Sequence, residues 1–167
     1  NQGLGINKIH YKCLVGLYDL YMEQKNFKEA YEVVKKLSRY FPANAQRLTS
    51  VLRLAVITKS YDDIERYYQS FNAMDQRNDE LIRYICAALV VTGKFYLQRD
   101  LPSRAVELFK KAVDAAAGRL KVLREIVTAC ADFGMIKEGE SFLKKFPAES
   151  KEGTDYLASN FILSDRV

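Results

Sequence analysis

The side chains that could do chemistry are few in this chain of 167 residues, and their spacing builds no recognisable catalytic or metal site. The single histidine, His10, lies outside any motif, so a surface or packing role is favoured over general-base catalysis. Cys13, Cys86 and Cys130 are 73 and 44 residues apart, unlike the close pairs of zinc sites. We expect all three on helices among apolar neighbours, as reduced thiols that indicate the cytoplasm.

Cofactor-binding and membrane motifs are also missing from the sequence. Neither GxxxxGK[ST] nor GxGxxG occurs, so nucleotide binding has no support in the sequence. The longest uninterrupted apolar run, residues 85–91, has seven residues, too few to span a bilayer, and no secretory leader pattern is present. The sequence therefore predicts no cofactor, no metal, no transmembrane segment and no enzymatic activity.

The elements that must position these side chains follow from a spacing pattern between residues 87 and 120. Small residues at Gly93 and Ala105 would let two antiparallel helices approach closely, and large residues at Leu89, Tyr96 and Phe109 would fill the space around that contact. The segment resembles the tetratricopeptide repeat family, whose pattern is W-x2-L-G-x2-Y…A-x3-F, with a leucine in place of the tryptophan and Thr92 in place of the leucine.

The pattern recurs along the chain. The position of Ala105 is occupied by Ala30, Ile64 and Gly139 in three other copies, and the intervals between the four are 34, 41 and 34 residues. In the first copy Leu14, Leu17 and Tyr21 stand at the expected core positions. The resemblance covers roughly residues 10–147, with repeats at about 10–43, 44–77, 78–120 and 121–149.

The interval of 41 exceeds 34 by seven residues, which is about two helical turns. Apolar residues three and four apart between Leu81 and Thr92 predict that these turns lengthen the first helix of the third repeat, beginning near Asn78. The alternative is a longer loop between repeats. Asn44 and Ser60 are predicted caps for the second helix pair, and Pro102 opens a helix.

The predicted fold is all-α, a single domain over residues 1–167. The resemblance implies a right-handed superhelix of antiparallel helix pairs. After Pro147 a linker is expected, followed by a capping helix at about 154–164 that covers the open end. The chain begins with Asn1 rather than Met, which suggests a fragment of a longer protein.

The resemblance also implies a concave groove lined by the first helix of each repeat. Transferred onto this chain, the groove positions are Lys12, Val15, Asp19, Met22, Thr49, Arg53, Val56, Val90, Lys94, Leu97, Arg124, Thr128 and Ala131. Arg53, Lys94 and Arg124 would form a basic line that favours an acidic or carboxylate-bearing ligand. Val15 and Asp19 stand where the chaperone-binding subclass needs Lys and Asn, which argues against that ligand.

A formal charge of +5, eleven tyrosines and nine phenylalanines could suggest nucleic-acid binding. Most of these aromatic residues fall at helix-pairing positions, however, and core packing explains them. Lysine pairs at 35–36, 110–111 and 144–145 recur on the second helices, which form the convex side in this family. A solvated face is the favoured interpretation of this row, and an electrostatic docking strip is the alternative.

Together these features predict a non-enzymatic protein-interaction scaffold that binds a protein or peptide partner, with nucleic acid disfavoured. The alternatives are an RNA-binding helical repeat and a homo-oligomerisation module that binds a second copy as a homodimer. An RNA reader would need base-reading side chains at one position per repeat, and Asp19, Arg53, Lys94 and Thr128 form no such code. Bacterial response regulators in which a receiver domain precedes tetratricopeptide-like helices are one context that fits, with a role in signal transduction.

Overall fold

The computed structural model describes residues 2–40, 44–75 and 77–145, with side chains from residue 10 onward. This part of the chain is helical, which confirms the predicted all-α class. It divides into two compact units, Asn1–Ala88 and Leu89–Val167. The helices are α1 (Gln2–Glu23), α2 (Phe27–Ser38), α3 (Ala45–Ile57), α4 (Ile64–Asn72, preceded by the 3-10 turn Tyr61–Asp63), α5 (Asp79–Gln98), α6 (Pro102–Ala116), α7 (Leu120–Asp132) and α8 (Ile136–Leu143).

Side-chain caps explain where two of the first helices begin. The Asn44 side-chain oxygen accepts a hydrogen bond from the Arg47 backbone N–H at 2.9 Å, and α3 follows. Asn78 does the same for the Leu81 N–H at 2.7 Å at the start of α5. Ser60 is the N-cap residue of the 3-10 turn that leads into α4, as predicted, but its side chain makes no capping hydrogen bond. Its hydroxyl lies 2.8 Å from that of Thr58, and α4 begins only after the 3-10 turn.

The turn inside each helix pair repeats one geometry. A left-handed residue follows each first helix, and the next N–H donates to a carbonyl five residues earlier at 2.8 or 2.9 Å, which is a Schellman motif. The left-handed residues are Lys25, Lys59, Asp100 and Gly134, with φ of 56°, 59°, 61° and 69°. They are 34, 41 and 34 residues apart, so the backbone repeats with the spacing found in the sequence.

The residues at the four equivalents of the Ala105 position are all buried, although Ile64 is a large residue. Ala30, Ile64 and Ala105 are fully buried, and Gly139 is buried as well. The close contact at Gly93 is with the ring of Phe109 on α6, which a Cβ on residue 93 would overlap. These four equivalent positions on α2, α4, α6 and α8 confirm the predicted helix pairing.

The irregular interval of 41 residues lies within a helix. α5 has 20 residues, whereas the corresponding first helices α3 and α7 have 13 each. The difference of seven equals the excess in the interval, and all seven residues precede the position of Leu89. The prediction of a lengthened helix beginning near Asn78 is confirmed, and the alternative of a longer loop is wrong.

In the first unit, the core between α1 and α2 is built on Leu14, Val33 and Leu37. Leu17, a predicted core residue, is instead 41% exposed. The equivalent residues of the later repeats, Val51, Thr92 and Ile126, have exposures of only 0%, 1% and 0%. The prediction for Leu17 is wrong because this face of α1 meets no other element among the described residues.

In the second unit, Phe109 is fully buried and forms an edge-to-face pair with Phe142 of α8, with ring centroids 6.3 Å apart. The Arg104 guanidinium lies 4.5 Å from the centre of the Tyr96 ring. Residues 146–167, which include the predicted linker and the capping helix at about 154–164, lie outside the described residues. The cap and the single-domain organisation stay predictions.

Candidate partner-binding site

The first helices of three repeats contribute to one cavity of about 420 Å³ in the first unit. α1, α3 and the segment at the start of α5 each supply part of its wall. The lining residues are Tyr18, Met22, Gln46, Thr49, Ser50, Arg53, Leu54, Asn78, Glu80 and Tyr84. The cavity therefore gathers Met22, Thr49 and Arg53, which the sequence assigned to the predicted groove.

Two hydrogen bonds involve the elements that line this cavity. The Arg47 guanidinium on α3 donates to the Tyr11 hydroxyl on α1 at 3.0 Å, which ties the first two helices together. Asn78 caps α5 through its side-chain oxygen and also lines the cavity, so its amide N–H donors are the groups it can offer a ligand.

The hydroxyl groups in the cavity wall are used by their own helix. Thr49 donates to the Ala45 carbonyl at 2.8 Å and Ser50 donates to the Gln46 carbonyl at 3.1 Å. Thr49 is also 91% buried, with an exposure of 9%, so its predicted role as a partner-binding residue is limited to a narrow contact. The remaining hydrogen-bonding capacity lies in the amides, the tyrosine hydroxyls and the charged groups.

The cavity carries charges of both signs. Arg53 is exposed, and no salt bridge to it occurs among residues 10–40, 44–75 and 77–145. Glu80 brings a carboxylate into the same lining. A ligand could therefore offer a carboxylate to Arg53 and an N–H or a cation to Glu80.

The other predicted groove residues lie in different surroundings. Lys12 and Asp19 are exposed on α1 but do not line the cavity. In the second unit Lys94 is half-buried, and Arg124 and Thr128 are exposed on α7. Two groove positions of the second unit, Val90 and Leu97, are buried, at 1% and 7% exposure. The basic line from Arg53 to Lys94 and Arg124 stays a prediction.

A second cavity, of about 440 Å³, lies on the second-helix side of the first unit and contains Lys35 and Lys36 of the lysine row. Lys35 is not a free surface cation, because its Nζ lies 2.8 Å from Glu32 and 4.7 Å from the centre of the Tyr31 ring. Arg66 is likewise 3.1 Å from Asp63. Two of the four basic side chains that line this cavity are thus paired with carboxylates. This pairing favours the interpretation of the lysine row as a solvated face.

The three cysteines differ in their surroundings. Cys86 and Cys130 are buried, as predicted, and burial, aided by the nearby Glu138 carboxylate, raises the pKa of the Cys130 thiol to about 12. Cys13 is exposed, so the prediction of apolar surroundings is wrong for this residue. It fails because the outward face of α1 meets no other described element.

The remaining candidate for chemistry is His10, which is exposed with its ring 6.5 Å from that of Tyr40. Within the described part of the chain, no group of three His, Cys, Asp or Glu side chains is arranged to hold a metal ion. None of the helices in that part has the length and apolar character needed to cross a membrane.

Sequence reasoning assigned a site role to three of the ten lining residues and missed the other seven. Asn78 was recognised only as a cap, and no site role was assigned to Tyr18, Gln46, Ser50, Leu54, Glu80 and Tyr84. The length of α5 explains why the lining residues at its start were missed. Because its seven extra residues precede the repeat pattern, the start of α5 reaches the cavity, whereas the groove positions transferred from a standard repeat begin one residue after Leu89.

Comparison with known proteins adds little to this description. No protein-family model matches the chain, and no curated protein sequence matches it significantly. A crystal structure of MamA is similar over 93% of this chain and 85% of that one, at 18% sequence identity and with a TM-score of 0.48. The class is therefore defined by the structure itself as an all-α protein of successive helix pairs.

Proposed function

We propose that this chain is a non-enzymatic scaffold that binds an extended segment of a partner protein against its first helices. The observation that carries the proposal is the cavity that gathers residues of α1, α3 and the start of α5. The sequence resemblance to the tetratricopeptide repeat family supports it, since the first helices line the binding groove in that family.

The lining residues match the needs of an extended peptide. The amide groups of Gln46 and Asn78 can donate to peptide carbonyls, which is recognition that does not depend on the partner's sequence. Tyr18, Met22 and Tyr84 supply apolar surface for the partner's side chains. Most of the affinity should come from these buried contacts and few residues should dominate it.

The charged residues should set the orientation of the bound segment and the choice of partner. Arg53 can form a two-pronged contact with a carboxylate, and its exposure leaves it accessible. If Lys94 and Arg124 continue the same line, an acidic partner segment is favoured, while Glu80 disfavours an acidic group beside it in the cavity. We infer a cytoplasmic setting and a role as the output part of a signalling protein, as in the receiver-containing regulators named above.

A displayed library of random peptides tests the proposal without a known partner. We expect the protein to enrich peptides rich in Asp and Glu. The double variant Arg53→Glu/Gln46→Ala should lose their capture with an unchanged circular dichroism spectrum, because Arg53 and Gln46 are exposed. The matched control is Lys36→Glu/Lys110→Glu, which changes two exposed residues on second helices.

The outcomes separate groove binding from general attraction between opposite charges. Loss of capture in the groove variant alone supports the proposal. Loss in the lysine control alone overturns it in favour of the lysine row. An absence of any enriched peptide, together with nuclease-sensitive retention of RNA by the same preparation, replaces it with the RNA-binding alternative.

A further inference from the structure

The outward face of α1 is an apolar stripe. Leu17 and Leu20 are 41% and 46% exposed, and Cys13 and Gly16 on the same face are exposed as well. Spacings of three and four residues place these side chains together on one side of the helix. The opposite side, with Leu14 and Tyr18, packs on the core shared with α2. Leu17 and Leu20 are two of the six large hydrophobic residues exposed in the described part of the chain.

The equivalent stripe is covered in the later repeats. The residues that correspond to Leu17 are at most 1% exposed, as described above. Leu20 corresponds to Leu54, Phe95 and Ala129; Leu54 and Ala129 are 1% and 2% exposed, and Phe95 is half-buried. The face is therefore one that first helices of this chain normally bury, and in α1 it still carries the large side chains suited to burial.

We propose that a second copy of this chain covers the stripe, with α1 packed antiparallel on α1 around a two-fold axis between residues 16 and 17. This register makes the stripe complementary to itself. Gly16 lies opposite Leu17 of the second copy, and Cys13 lies opposite Leu20, so a small residue meets a large one at each layer. A Cβ on Gly16 meets nothing within 4 Å in one copy, which leaves room for an incoming leucine.

The charges beside the stripe favour the same arrangement. Lys12, Asp19 and Glu23 are exposed and share one flank of α1, because they are seven and four residues apart. In the antiparallel register Lys12 lies near Asp19 and Glu23 of the second copy. In a parallel pair this flank of each copy would lie on opposite sides of the contact, so these charges would not meet. Charge complementarity thus selects both the second copy as occupant and its direction.

Sedimentation velocity over a roughly hundredfold concentration range tests the association. We expect a reversible monomer–dimer equilibrium for the parent. Gly16→Leu should abolish it, because the new side chain fills the space reserved for Leu17 while leaving the monomer intact. Leu17→Glu should do the same. The matched controls are Ile57→Glu and Leu101→Glu, each changing a residue that is 44% exposed, and both should dimerise like the parent.

A cross-linking experiment tests the register. Oxidation of the L20C variant should give a covalent dimer, because residues 13 and 20 face each other across the two-fold axis. The parent and the double variant Cys13→Ser/Leu20→Cys should stay uncross-linked, since like residues are then about 10 Å apart along the helix. Cys86 and Cys130 are buried and do not interfere.

Each of these experiments has an outcome that would overturn the proposal. A parent that stays monomeric throughout the concentration range overturns it, and so does a dimer that survives Gly16→Leu and Leu17→Glu. Rapid cross-linking of the parent through Cys13 contradicts the antiparallel register. These results are independent of peptide capture, because Gln46 and Arg53 lie on α3 and are unchanged in every variant used.

Discussion

The hydroxyl oxygens of Tyr31 and Tyr67 lie 2.7 Å apart, joining α2 of the first helix pair to α4 of the second. Tyr31 gives its proton to the Asp63 carboxylate at 2.7 Å, so Tyr67 must donate to Tyr31. Both side chains are almost fully buried, at 2% and 6% exposure. The second helices of adjacent repeats are thus connected by a directed chain of hydrogen bonds rather than by apolar contact alone.

Removing one hydrogen bond from this series should destabilise the fold. Tyr67→Phe leaves the buried Tyr31 oxygen without its donor, and we expect a loss of roughly 0.5–1.5 kcal/mol in the free energy of unfolding. Urea denaturation followed by circular dichroism measures it. Tyr40→Phe, at a residue that is 37% exposed, is the matched control and should change stability little. Equal effects of the two substitutions would contradict the stabilising role of these hydrogen bonds.

The same pair should make stability fall at alkaline pH. Burial raises the pKa of Tyr31 and of Tyr67 above the ordinary tyrosine value, because it disfavours the phenolate. The unfolded chain therefore ionises first, at a pH of about 10. The contribution to stability is fully present below that pH and is lost as the pH rises above it.

The measurement is the urea midpoint as a function of pH from about 8 to about 11. We expect a shallower alkaline decline in Tyr67→Phe than in the parent, since one buried phenol is gone. Parallel curves for the two proteins would show that the tyrosine pair does not set the alkaline limit.

The two helical glycines Gly16 and Gly93 should respond oppositely to alanine. At residue 93 a Cβ overlaps the Phe109 ring, so Gly93→Ala should cost roughly 1–3 kcal/mol. At residue 16 it meets open space, so Gly16→Ala should gain roughly 0.5–1 kcal/mol from helix propensity. Ala105→Leu, at a fully buried position, should destabilise as Gly93→Ala does. Thermal unfolding of the three variants measures these changes, and stability gains at both glycines would disprove the close contact.

The left-handed turns offer a test at equivalent backbone positions. Lys59 has φ of 59° and Gly134 has φ of 69° in the same Schellman geometry. Because a Cβ disfavours this conformation, Lys59→Gly should stabilise the protein by roughly 0.5–1 kcal/mol, and Gly134→Ala should destabilise it by a similar amount. A Cβ on Gly134 has nothing within 4 Å, so its effect would be conformational only. Urea titration checks both signs, and a destabilised Lys59→Gly protein would contradict the argument.

Periodicity predicted the fold because the pattern records helix contacts. The burial of Ala30, Ile64 and Ala105 and the length of α5 all followed from it. The left-handed turns did not follow from the pattern, because only one of the four residues, Gly134, is of a type that favours this conformation. Leu17 was misassigned because the pattern assumes a neighbouring element on this face, and none of the described residues covers Leu17.

The candidate site was predicted only in part, for a different physical reason. Met22, Thr49 and Arg53 were found by transfer from the family's groove positions, and the structure brings them to one cavity. Gln46 and Glu80 were not found, because exposed polar residues satisfy no internal packing requirement. Their positions therefore follow no periodic pattern that a single sequence could show.

The seven residues added to α5 suggest how such a chain tolerates insertions during evolution. Seven residues turn a helix by almost two full turns, so the faces before and after the insertion differ by only about 20°. The buried side of α5 could therefore keep its direction while its start moved toward the cavity by about 10 Å. An insertion of three or five residues would have rotated the apolar face away from its neighbours. Length changes in steps of seven would let the lining of this cavity vary while the packing of the helix faces that support it is kept.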